Sequence, residues 1–137
     1  MIRITKPVYE QIIQHAKQGY PNEACGLLGG VAADSAISFY PMRNVDQAAI
    51  SYFMDPKEQL QVFKTMRAQS EQLTGIFHSH VASEAYPSSK DVRLAFYPEV
   101  SYLIVSLTDM NHPVLRSYRI IDETITEEEV VMHDESI

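Results

Sequence analysis

His78, His80, Ser88 and Asp91 stand close together in the stretch from Gly75 to Asp91, GIFHSHVASEAYPSSKD, and are the residues of this sequence best placed to do chemistry together. Ile76 and Phe77 begin a β-favouring run. Alternation along a strand then puts His78 and His80 on one face and Ser79 on the other. Ser88 and Asp91 follow a loop containing Pro87, with the Ser-x-x-Asp spacing of a helix's first turn, which would bring a carboxylate to the same place. Two neutral imidazole nitrogens and one carboxylate oxygen suit Zn²⁺, with bonds of about 2.0 to 2.2 Å and a fourth position left to water. An open position points to catalysis rather than scaffolding. Each half also has a plainer reading: His-x-His as two ordinary strand histidines, and Ser88-x-x-Asp91 as a capping box. The joint pattern H-S-H-x7-S-x2-D is harder to explain that way.

A water activated by a metal needs a base, and Glu23, upstream in PNEACGLLGG, is the candidate. A glutamate that is not a ligand can take the proton as water attacks a carbonyl and hand it to the leaving amine. By itself Glu23 also fits a solvated acid at a helix-to-strand junction, because Pro21-Asn22 marks a turn. Cys25 is the single cysteine, so the chain has neither an intramolecular disulfide nor a cysteine-based zinc knuckle. The zinc deaminase pattern, which needs cysteine ligands, is excluded with them. Cys25 reads as a small buried hydrophobe rather than a Cys-His nucleophile, since no separate histidine motif serves it.

Taken together, Glu23, His78-Ser79-His80, Ser88 and Asp91 resemble the JAMM/MPN+ metallopeptidase signature, a distant upstream glutamate followed by H-[ST]-H-x7-S-x2-D. EACGLLGG, PMRNV and YFMDPKEQL also look like small prokaryotic members, so the resemblance runs from about Ile4 to Leu107. Val81 stands where many members carry proline, which leaves the path of the 81–87 loop undefined by sequence. The resemblance implies an α/β fold, a single MPN/JAMM-type domain with a mixed, curved β-sheet flanked by helices and cytidine-deaminase-like. It implies that His78, His80 and Asp91 hold Zn²⁺, that Glu23 shuttles the proton and that Ser88 donates to the oxyanion. It further implies hydrolysis of an amide or isopeptide bond at the tail of a ubiquitin-like or sulfur-carrier protein or peptide. The interval from His80 to Ile137 is too compact for the insertions with which eukaryotic-type relatives grip ubiquitin. The competing expectation is a non-catalytic MPN-type scaffold, against which the intact ligand set argues.

The elements that must position these residues can be read along the chain. IRI at 2–4 is an edge strand, and Thr5 caps a helix from Lys6 to about Lys17 whose stripe is Val8, Ile12, Ile13 and Ala16. His15 rides on it as a surface residue. Glu23 to Val31 reads as a buried strand whose glycines allow a bulge or close approach, and Ala36 to Tyr40 as its hairpin partner, stopped by Pro41. AISYFM at 49–54 is a further strand, and Asp55-Pro56 opens a helix to about Gln69 with Leu60, Phe63 and Met66 inward. Leu73 to His80 is the ligand strand, Ser88 to about Phe96 a helix, and 100–107 a buried strand. Val114–Ile121 and Thr124–Met132 form a terminal hairpin about Asp122-Glu123, with Glu127 to Glu129 a solvated run.

One domain suffices for 137 residues. With 11 basic and 18 acidic residues, a net charge of −7 repels phosphate backbones and argues against nucleic-acid or anionic-membrane partners. No apolar leader and no membrane-length apolar run is present, so a cytoplasmic protein with a protein or peptide partner is expected.

Overall fold

The computed structural model describes residues 1–134; Glu135 to Ile137, the end of the interval expected to lack insertions, lie outside the described residues. A six-stranded mixed sheet carries the architecture, in the order β4-β2-β5-β6-β7-β8, with β2 Cys25–Gly30, β4 Ser38–Met42, β5 Gln72–His80, β6 Ser101–Ser106, β7 Val114–Ile121 and β8 Thr124–Glu128. The pair β5/β6 is parallel and the others are antiparallel. A second, three-stranded parallel sheet runs β3-β1-β9, from Ser35–Ala36, Ile2–Thr5 and Val130–His133. The helices are α1 Lys6–Gly19, α2 Pro56–Ala68 and α3 Ser89–Arg93. This is the α/β class expected, a mixed sheet flanked by helices.

Alternation sorts the central strands onto two faces. Leu28, Phe77, Leu103 and Val105 point to one core, where α1 brings Val8, Ile12 and Ala16 and the small sheet brings Ile2, Ile4 and Ala36. Cys25, Leu27, Ile76, Tyr102, Ile104 and Tyr118 point to the other, which α2 closes with Met66. His78 and His80 belong to this second face, between Ile76 and the strand's carboxyl end.

Thr5 caps α1 and accepts from the Val8 amide. On α2 the packed stripe is rotated from the one expected: Met66 is buried and Val62 and Phe63 pack beside it, whereas Leu60 is exposed. His15 is no bystander. Its Nε2 donates to the Cys25 carbonyl at 2.9 Å and its ring meets Phe39 edge-on, so it pins α1 to the sheet. Pro41 does not stop its strand. It lies within β4, opposite Gly26, and a missing N–H is tolerated because β4 is the sheet's edge.

Residues 49–54 are not a strand. The buried Asn44 side chain takes over from a ladder, donating to the carbonyls of Glu23 and Ser51 and accepting from the amides of Asp46 and Phe53. Glu23 and Ala24 likewise precede β2 rather than belong to it. The last strand breaks at Glu129, so that β9 leaves the hairpin and pairs in parallel with β1. Within the acidic run, Glu128 is not solvated: it accepts from Ser117 at 2.8 Å and from the terminal ammonium of Met1 at 3.0 Å. Burial raises its pKa, but hydrogen bonds from Ser101, the terminus and Ser117 prevail and hold it low.

Candidate active site

β5 ends where the chemistry begins. His78 and His80 project from its last turn of alternation, and a loop over 81–87 carries the chain to Ser88 and the short helix α3, part of the crossover that returns to β6. Crevices beyond the carboxyl ends of parallel strands are natural sites, since the crossover must rise above the sheet there. Ser88 is the N-cap of α3 in a full capping box: its Oγ accepts from the Asp91 amide at 3.1 Å, and Asp91 Oδ2 accepts from the Ser88 amide at 2.8 Å. The capping box is therefore present, and it is compatible with the ligand reading. The box orients the same oxygen that faces the histidines.

His78 Nε2, His80 Nε2 and Asp91 Oδ2 form a triangle with every side 3.1 Å. Ligand atoms on a tetrahedral ion with bonds of about 2.0–2.1 Å stand about 3.3 Å apart, so this triangle fits a divalent ion with little adjustment. The donor chemistry agrees. His80 Nδ1 lies 2.8 Å from the Glu84 carbonyl, which can only accept, so Nδ1 carries the proton and Nε2 keeps its lone pair. His78 Nδ1 is buried and without a partner; its ring is held instead by Tyr52, stacked at 4.8 Å and 23°. Among the described residues this is the group of His, Cys, Asp and Glu side chains whose ligand atoms converge.

The charges fit together. Asp91 is pushed up by burial, yet the His78 and His80 imidazoles beside it and a hydrogen bond from the Ser88 amide hold it well below the usual carboxylate range. Burial depresses His80, but the neighbouring Asp91 carboxylate and the bond to the Glu84 carbonyl prevail and raise it. Glu23 is 7% exposed and pushed up to about 7 by burial, with Asp91 adding and His80 and Lys90 opposing. Its position comes from the far side of β5. Ser79, between the two histidines but on the opposite face, accepts from the Ala24 amide at 2.8 Å while its own amide donates to the Ala24 carbonyl at 2.9 Å. The middle residue of His-Ser-His thus ties down the segment that bears Glu23. Cys25, opposite His78 in register, is fully buried and its thiol is pushed up to about 12 by burial, with Glu58 and Glu23 adding, so it offers no thiolate.

Tyr52 was invisible as a site residue, because nothing in AISYFM marks a partner for a histidine ring. It also lines an apolar groove of about 260 Å³ beside the triangle, with Leu27, Phe63, Ile76, Leu94 and Phe96.

The chain is similar to several known proteins. The CysO-cysteine peptidase of Mycobacterium tuberculosis is 42% identical over 120 residues, which cover 87% of this chain and 82% of the relative. The desampylase of Haloferax volcanii is 31% identical over 103 residues, 71% of this chain and 74% of the relative. The solution structure of a Desulfitobacterium hafniense protein superposes with a TM-score of 0.90 at 45% identity, over 99% of this chain and 95% of that one. Residues 5–121 match the family described as prokaryotic homologs of the JAB domain, and the chain belongs to that family, the small prokaryotic JAMM/MPN proteins.

Proposed function

We propose that the protein is a zinc-dependent peptidase that cleaves an amide or isopeptide bond at the C-terminal tail of a ubiquitin-like or sulfur-carrier protein. The observation that carries this reading is the triangle of His78, His80 and Asp91, with a buried Glu23 close enough to feel the charges of His80 and Asp91. His78, His80 and Asp91 would hold a divalent ion, which would supply Lewis acidity to the reacting carbonyl and to a water. Glu23 accepts the proton that water loses as its oxygen joins the carbonyl carbon, then passes it to the amine nitrogen as the C–N bond breaks. A carboxyl near neutrality suits both transfers. Ser88 Oγ already accepts from the Asp91 amide, so its own proton remains to stabilise the carbonyl oxygen as charge develops there.

The relatives support this substrate class, one being named a CysO-cysteine peptidase and another a desampylase. The apolar groove beside His78 suits the chain of such a tail, which main-chain pairing can position with little demand on side chains.

The test uses a carrier ending in Gly-Gly, fused through its tail to cysteine or to a lysine side chain. Cleavage is expected with bound zinc and is expected to stop with chelator. Glu23→Gln should keep stoichiometric metal and lose turnover, whereas His78→Ala should lose both. Hydrolysis indifferent to chelator and to Glu23→Gln would overturn the reading, and bound zinc without cleavage of any tail would turn it toward a binding scaffold.

A further inference from the structure

The loop over 81–87 lacks the proline that would stiffen its start and has no regular secondary structure, yet it supplies the carbonyl that sets the His80 tautomer. Three consecutive carbonyls in it are each met by a side chain rising from the sheet below. Ser106 Oγ donates to the Ser83 carbonyl at 2.7 Å, His80 Nδ1 to the Glu84 carbonyl at 2.8 Å, and Tyr118 Oη to the Ala85 carbonyl. The donors sit on three adjacent strands. His80 and Ser106 are direct partners across β5/β6, and Tyr118 is on β7 beyond them. Ser106 accepts from the Thr108 amide at 3.4 Å, and with its single proton given to the Ser83 carbonyl it is the acceptor in its 3.3 Å contact with Thr108 Oγ1.

We propose that Ser106 and Tyr118 are positioning residues that hold the carbonyls on either side of Glu84 and so keep the Glu84 carbonyl aimed at His80 Nδ1. Resting on the metal site proposed above, the assignment concerns the state in which His80 meets the ion. If that carbonyl drifts, the ring can carry its proton on Nε2 instead. Nε2 then donates to Asp91 Oδ2, 3.1 Å away, and the triangle satisfies itself by closing on a proton where an ion would sit. Neither side chain belongs to the triangle, and their hydroxyls are spent on backbone.

The experiment compares wild type with Ser106→Ala, Tyr118→Phe and Ser106→Thr. Nitrogen-15 NMR of the imidazoles in metal-free protein at alkaline pH reads the His80 tautomer, and competition with a chromogenic chelator reads zinc affinity. We expect the Nε2-protonated form to appear in Ser106→Ala and Tyr118→Phe, with zinc affinity lower by about 10- to 100-fold, and Ser106→Thr to restore both. An unchanged tautomer in Ser106→Ala and Tyr118→Phe overturns the proposal, as does a changed tautomer with wild-type affinity. Should Tyr118→Phe fail to fold, the Ser106→Ala and Ser106→Thr pair decides. Wild-type protein that binds no zinc would speak against the proposed hydrolase, while the tautomer measurement would still judge the loop.

Discussion

Glu23 is the residue whose environment departs most from what its sequence position suggested. An acid beside a Pro-Asn turn reads as solvated, but here it is buried, and burial, with the Asp91 charge adding, pushes its pKa up to about 7. The linkage has a definite sign. A carboxyl whose folded pKa lies above its unfolded value binds more protons when folded, so stability falls as pH rises from about 4.5 to about 7. Glu23→Gln should therefore raise the melting temperature of metal-free protein by a few degrees at pH 8, roughly the effect of 1 kcal/mol, and by much less at pH 5. A gain at pH 5 as large as at pH 8 would mean the carboxylate is not strained. Ser88→Ala should lower turnover by roughly 10² to 10³ at saturating zinc through the lost oxyanion donor. Loss of the cap should separately cost about 1 kcal/mol in a denaturant melt.

At the scale of elements, turn and close-approach positions give predictions of opposite sign. The β7–β8 hairpin turns at Asp122 and Glu123, both at positive φ, 49° and 63°. That is the backbone of a two-residue hairpin turn that favours Asp-Gly, so Glu123→Gly should stabilise the protein by about 1 kcal/mol. Gly30 ends β2 with no room for a side chain, since a Cβ there would lie 2.1 Å from the Ser35 carbonyl oxygen, which is backbone and cannot swing aside. Gly30→Ala should destabilise by about 1–3 kcal/mol in urea melts. Zinc affinity should not change, because β2's far end, not the ligand strand's, is disturbed. Both elements lie away from the triangle, so equal losses of stability and metal binding would contradict this separation.

For the whole molecule, the site ties together parts that are otherwise joined by an irregular loop. His78 and His80 belong to β5, Asp91 to α3, and Glu23 to the entry of β2. An ion bound only by the folded arrangement stabilises it by mass action, by about 2.7 kcal/mol at a free concentration a hundred times Kd. Zinc should therefore raise the melting temperature by several degrees and chelator should reverse it. His78→Ala should show no shift in either direction. A zinc-induced shift of wild-type size in that variant would put the stabilising ion elsewhere. Among the described residues no helix is long and apolar enough to cross a membrane.

Sequence alone determined most of the geometry of the triangle, because that geometry is local. Two-residue periodicity fixes the shared face of His78 and His80, and a capping box fixes the Asp91 carboxylate relative to Ser88 within a single turn. The limits of α1 and α2 and the hairpin at Asp122-Glu123 were legible for the same reason, being set by caps, periodicity and turn residues close together in the chain, whereas α3 ends at Arg93, short of the expected Phe96. Where the partner lies outside the local pattern of caps, periodicity and turns, the reading failed. Residues 49–54 have the composition of a strand, but Asn44 satisfies their backbone; Glu128 sits in an acidic run, but folding brings Ser117 and the chain terminus to it. Tertiary structure alone decided that Ser79 anchors the Glu23 segment, that Tyr52 backs His78, and that the 81–87 loop is held by Ser106 and Tyr118. Each of these contacts joins side chain to backbone or ring across tens of residues, and no local spacing encodes which distant group a hydroxyl or ring will meet.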